Sequence, residues 1–249
     1  MPAATAASGP VLNNPAKSPS LANRGAGRWA DLGLRAASAL VLLPVVLYAA
    51  YRGGLAWLAL LVLACLLGLN EWRAMGRAGH LTAAARLAGA LYIGLALVRL
   101  VWLRHRPGGL GATALLLGAV WATDIGAYLA GRFVGGRRLA PSISPGKTWS
   151  GAVGGLGAAL LAGVWLGRLA GLPPGRAAGL AALLSIAAQA GDLLESAAKR
   201  RCGVKDSGRL IPGHGGLLDR VDGILAAAPV LAAVIYGLGL ENGSWNWHP

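Results

Sequence analysis

The sequence predicts an all-α fold, a polytopic bundle of about seven (seven to nine) transmembrane helices. Three observations predict it. Of the 249 residues, 55% are hydrophobic and only 13% charged, about half the roughly 25% of a soluble domain. The apolar residues gather into seven runs, each near the ~17–25 residues that cross a bilayer. Within lipid every backbone N–H and C=O must be paired inside its own segment, which leaves the helix as the element for such runs. High hydrophobicity with low charge excludes disorder over most of the chain. The two cysteines, Cys65 inside an apolar run and Cys202 in a basic stretch, exclude a disulfide scaffold.

Residues 1–30, rich in Ala, Pro, Ser, Asn and Gly, read as a disordered tail and not as a signal peptide, because the first apolar run starts too late. The runs follow at 36–51, 54–70, 87–103, 109–131, 151–167, 177–194 and 223–240. They divide into N-terminal transmembrane helices, 31–107, and a second transmembrane region, 108–249, with polar loops at 132–150 and 197–222. Arg99, near the end of the third run, can snorkel to the interface. Trp102, Trp245 and Trp247 suit interfacial anchors. The glycines of 151–157 suit close helix packing.

Lys and Arg number 23 against 9 Asp and Glu. In a soluble chain that excess would suggest nucleic acid, but no nucleic-acid module is recognisable and no nucleic-acid partner is expected. With a cytoplasmic N-terminus, 17 basic residues fall on inner segments and 6 on outer ones, the bias of an inner-membrane protein in that orientation. The Arg104–His105–Arg106 cluster falls on the outer side and points to a missed or re-entrant segment.

Six of the nine acids lie between residues 124 and 222. Asp124, Asp192 and Glu195 sit in or at the ends of apolar runs, where an ionisable group is costly and marks a candidate site. Asp192 and Glu195, like Asp219 and Asp222, are spaced to share a helix face, and Asp124 shares one with Tyr128 and Gly131. Carboxylates beside a basic loop suit Mg²⁺, which takes a few carboxylate oxygens and keeps positions for phosphates. Lys and Arg neutralise the remaining phosphate charge. Each feature alone has a plainer account. Asp124 could bond between helices, Asp192 and Glu195 could pair with Lys199, and the basic run 199–201 could mark topology or a lipid-headgroup patch.

One stretch joins them: Ser196, Lys199–Arg200, Lys205–Asp206, Pro212–Gly213–His214–Gly215–Gly216 and Asp219–Arg220–Val221–Asp222. This 27-residue pattern closely resembles that of the phosphatidate cytidylyltransferases (CDP-diacylglycerol synthases). Trp121–Arg132, Ile143–Trp149 and the Gly191–Ser196 lead-in resemble the same family, over residues 87–240 in all. Ser150 stands where the family commonly has Glu, and Gly146 where a basic or polar residue is usual. The resemblance implies Mg²⁺-dependent transfer of CMP from CTP to phosphatidic acid in a bilayer. It implies that 108–249 is the catalytic region, with Asp192, Asp219, Lys199, Arg220 and Asp222 as catalytic residues. Asp192 and Asp219, supported by Glu195, would hold the metal. Substrate contacts would come from Asp124, Tyr128, Ser144, Lys147, Thr148, Arg200, Lys205, Asp206, His214, Gly215 and Gly216. Seven short spans leave little wall around a lipid-sized cavity, which suits a homodimer. Two alternatives stay open: a CTP-dependent transferase or kinase on another lipid such as a polyprenol, and an ion-coupled secondary transporter.

Overall fold

A computed structural model describes Ser38, residues 40–208, Leu210 and residues 215–238. The expected tail at 1–30 lies outside the described residues. Seven helices follow one another: α1 (Leu40–Arg52), α2 (Gly54–Ala78), α3 (Ala83–His105), α4 (Gly109–Phe133), α5 (Trp149–Leu169), α6 (Pro174–Arg201) and α7 (Leu218–Gly237). Five of them, α2 to α6, are long and apolar enough to cross a membrane. The all-α polytopic bundle is therefore what the structure shows. Half of the apolar stretch of α4 is buried against other helices, against 22% in α2, α3 and α5. So α4 is central, and the outer helices turn most of their apolar surface outwards, as lipid-facing helices do.

Small residues set how closely the helices approach. A Cβ on Gly154 of α5 would stand 2.2 Å from Ala130 Cβ of α4, and one on Gly126 would stand 2.7 Å from the Gly154 carbonyl oxygen. The same contact joins α5 to α6 at Gly163 against Ala181, and α6 to α7 at Gly191 against Ala226. Backbones in van der Waals contact replace the hydrophobic drive that lipid cannot supply. Gly154→Val is expected to cost about 1–3 kcal/mol by overpacking, read as a lowered thermal midpoint of the detergent-solubilised protein.

Two expectations are corrected, and the polar 132–150 loop gains a feature. Within that loop β1 (Arg138–Ala140) pairs antiparallel with β2 (Ser144–Thr148), Arg138 opposite Thr148 and Ala140 opposite Ser144. The apolar run ending at 194 understates α6, which runs on through Lys199, Arg200 and Arg201. Hydropathy registers composition, whereas the helix needs only its backbone bonds, and three cations in the last turn suit its dipole. The Arg104–His105–Arg106 cluster needs no missed segment. Arg104 donates from Nε to the Ala50 carbonyl (2.5 Å) and from Nη2 to the Tyr51 carbonyl (2.7 Å), so it caps the open C-terminal end of α1. His105 Nδ1 lies 2.9 Å from the Val101 carbonyl, and the Arg106 guanidinium lies 5.7 Å from the Trp102 ring centroid. Gly53, at φ +63°, lets the chain turn beneath Arg104, whose guanidinium would lie 2.6 Å from a Cβ there.

Candidate active site

At the end of the bundle where α4 and α6 finish and α5 and α7 begin, one cavity of about 580 Å³ opens. Helical spacing brings Asp124 and Tyr128 to it from α4, Asp192 and Lys199 from α6, and Asp219 and Asp222 with Arg220 from α7. The β-hairpin lays Lys147 and Thr148 across the mouth, and Asp206 enters from the segment after α6. The local folding is visible in the caps. Thr148 Oγ1 accepts from Gly151 N (3.0 Å) and starts α5 directly after β2, as an N-cap hydroxyl does. Ser150 donates to the Gly135 carbonyl and lies 3.0 Å from Thr148 Oγ1, which ties the hairpin's entry to its exit.

Two charge networks hold the walls. In the first, Lys199 Nζ donates to Asp219 Oδ1 at 2.6 Å and lies 3.4 Å from Glu195 Oε1. Asp219 also accepts from Ser207 N (3.0 Å to Oδ2) and Gly216 N (2.9 Å). Asp219 precedes the apolar stretch of α7. Burial alone would raise its pKa, but the Lys199 ammonium and the Gly216 and Ser207 N–H groups outweigh burial and hold it below the usual carboxylate value. In the second network, Lys147 Nζ meets Asp192 Oδ2 at 2.5 Å, and Ser196 donates to Asp192 Oδ1 at 3.4 Å. Both Glu195 oxygens are buried, and Lys199 is the ion-pair partner of Oε1.

Comparison with known proteins places this cavity in a family. A sequence model described as "Cytidylyltransferase family" matches residues 80–238, well over half of the chain and every cavity residue named above. The chain belongs to the cytidylyltransferase family. It is 46% identical over 183 residues to a phosphatidate cytidylyltransferase of Brucella suis, covering 72% of this chain and 65% of that protein. It is 48% identical over 145 residues to one from Pseudomonas aeruginosa, covering 56% and 53%. It is 34% identical over 209 residues to one from Rickettsia bellii, covering 81% and 89%. The match thus spans just under two thirds of the Brucella protein's length.

Among the residues that the sequence nominated in this member of the family, ten line the cavity: Asp124, Tyr128, Lys147, Thr148, Asp192, Lys199, Asp206, Asp219, Arg220 and Asp222. Gly216 holds Asp219 through its N–H, and Gly215 makes the turn at φ +83°. Ser144 stands at the start of β2, opposite Ala140. Arg200 donates to the Ile143 carbonyl (3.2 Å) and the Val204 carbonyl (3.3 Å), so it fastens the end of α6 to the hairpin. Lys205 and Glu195 are not among the lining residues. His214 lies outside the described residues. Sequence reasoning missed a polar chain on the cavity floor. Thr123 Oγ1 donates to Ser185 Oγ (2.9 Å), and Gln189 Nε2 donates to Ser185 Oγ (3.2 Å) and to the Ala152 carbonyl (3.3 Å). It bridges α4, α6 and α5, and polar residues seven or fewer positions from Asp192 on α6 were the available signal. It also missed Glu71, which accepts from Ser207 Oγ, Leu217 N and Leu218 N.

Proposed function

We propose that this chain transfers CMP from CTP to phosphatidic acid, forming CDP-diacylglycerol and pyrophosphate. The observation that carries the proposal is a single cavity with acids and cations drawn from three helices, a hairpin and the segment after α6, at the end of helices long enough to span a bilayer. That placement lets acyl chains stay in lipid while a headgroup meets a soluble nucleotide.

A phosphatidate oxygen attacks the α-phosphorus of CTP, a P–O bond forms to it, and the bond to the β-phosphate oxygen breaks as pyrophosphate leaves. The nucleophile is already anionic, so no strong protein base is needed. The barrier lies in bringing two anions together, which positioned cations lower. Lys199, held by Asp219, and Arg220 face the phosphates from α6 and α7. Lys147 faces them from the hairpin, where a substrate phosphate competes with Asp192 for its ammonium.

Among the described residues no three His, Cys, Asp or Glu side chains converge tightly enough to enclose a metal ion. Five carboxylates, Asp124, Asp192, Asp206, Asp219 and Asp222, nevertheless line the cavity. That donor set fits Mg²⁺, which is commonly held by one or two carboxylates and completed by substrate phosphates. Asp192 would be a ligand, with Asp222 lining the same cavity from the next helix. Asp219 could reach the ion only by giving up its bonds to Lys199 and the loop N–H groups. Bound there, Mg²⁺ would neutralise charge on the triphosphate. The charge bias along the sequence supports a cytoplasmic N-terminus and a site at the cytoplasmic face of the inner membrane.

Purified protein in mixed micelles with phosphatidic acid, Mg²⁺ and CTP is expected to form labelled lipid from α-labelled CTP and none from γ-labelled CTP. Label transferred from the γ position would show a kinase instead. Neither label in lipid would overturn the assignment.

A further inference from the structure

Glu71 belongs to α2 and lies outside residues 80–238, the stretch that the family's sequence model matches. It is 6% exposed. An acid in an apolar helix is costly unless its oxygens are satisfied, and here both are. Oε1 accepts from Leu217 N at 2.8 Å, and Oε2 accepts from Leu218 N at 3.0 Å and Ser207 Oγ at 3.1 Å. Leu217 and Leu218 carry N–H groups at the start of α7 that have no partner within the helix. A negative charge there also suits the helix dipole. The fit is close. A Cβ on Gly208 would stand 2.7 Å from Glu71 Oε1, and one on Gly216 would stand 2.7 Å from Oε2 and 2.0 Å from Ser207 Oγ.

Ser207 is the junction. Its hydroxyl donates to Glu71 while its backbone N–H donates to Asp219, which receives Lys199. Glu71 thus ties Ser207, in the segment after α6, to Leu217 and Leu218 at the start of α7, and Asp219 ties Ser207 to Gly216 from the cavity side.

We propose that Glu71 is a positioning residue for the nucleotide: by pinning Ser207 and the first turn of α7, it holds Asp219, and through it Lys199, in the arrangement that receives phosphate. The nucleotide part of this inference rests on the function proposed above.

Glu71→Gln keeps the size and removes one acceptor, so one of the three donors is left unpaired. In the full chain in micelles, equilibrium binding of labelled CTP is expected to weaken about tenfold, the order of effect of an unsatisfied buried donor. Binding of phosphatidic acid should change less than twofold, and hydrogen exchange at Ser207, Leu217 and Leu218 should speed up. Ser207→Ala should weaken CTP binding too, and Glu71→Gln added to it should weaken binding by less than in the parent. Wild-type exchange at those amides in Glu71→Gln would overturn the latch. Faster exchange with unchanged CTP binding would reduce Glu71 to a structural cap and overturn the positioning role. Neither readout needs turnover, so a parent chain that binds CTP but makes no CDP-diacylglycerol would sink the proposed reaction and leave this inference standing on its own result.

Discussion

Asp219→Asn is expected to lower cytidylyl transfer by about 10²- to 10³-fold while the protein still folds. The carboxylate takes the Lys199 ammonium at 2.6 Å and the N–H groups of Ser207 and Gly216. Both members of the ion pair are nearly enclosed, with side-chain exposures of 11% and 8%, so water screens little of the interaction. An asparagine there has one acceptor oxygen where the structure uses two. Its amide NH₂ must face either the ammonium or the loop N–H groups, donor against donor. Breaking one side of a buried pair costs roughly 3–5 kcal/mol, and about 1.4 kcal/mol is tenfold in rate; some of the loss should appear as instability, which trims the kinetic effect to the range given. The measurement is kcat/KM for CTP, with circular dichroism as the check on folding. Activity within threefold of the parent would show that Lys199 does not depend on Asp219 for its place.

That prediction rests on contacts partly legible in the sequence. The i, i+3 spacing of Asp219 and Asp222 anticipates one helix face, and α7 starts at Leu218, so both stand in its first turns. The apolar runs locate α2 to α6 because lipid-crossing helices are defined by composition over a fixed length. What the runs do not carry is pairing between distant segments. Glu71 reads in the sequence as one more acid near the end of a span, and its partners lie 136 to 147 residues away. Arg104 looks misplaced by the charge bias and becomes intelligible only once the end of α1 lies beside it, more than 50 residues earlier. Thr123, Ser185 and Gln189 are too small or too weakly polar to interrupt an apolar run, yet they join three helices beneath the cavity. The β-hairpin is short, rich in Gly and Pro, and has no alternating apolar pattern, so it leaves no periodic trace.

The second large effect concerns the cation. Chelation with EDTA is expected to abolish transfer, and added Mg²⁺ to restore it. Asp192→Asn is then expected to raise the Mg²⁺ concentration for half-maximal activity by at least about tenfold, the lower bound seen when even the groups behind a metal's ligands are disturbed. Asp192 is the residue to change because it lines the cavity together with Asp124 and Asp222, while its cationic partner Lys147 sits on the hairpin and remains a quarter exposed. Lys147→Ala separates the two roles. Removing that ammonium leaves Asp192 more negative, so the Mg²⁺ requirement should stay level or fall. At the same time the KM of the substrate whose phosphate Lys147 meets should rise, by about 1.5–3 kcal/mol worth of a charged hydrogen bond, or roughly ten- to a hundredfold. If both variants shift the Mg²⁺ requirement upwards together, Asp192 acts through Lys147 and not on the ion. If transfer proceeds unchanged in EDTA, the cavity's carboxylates serve only to place the cations, and charge neutralisation falls to Arg132, Lys147, Lys199 and Arg220.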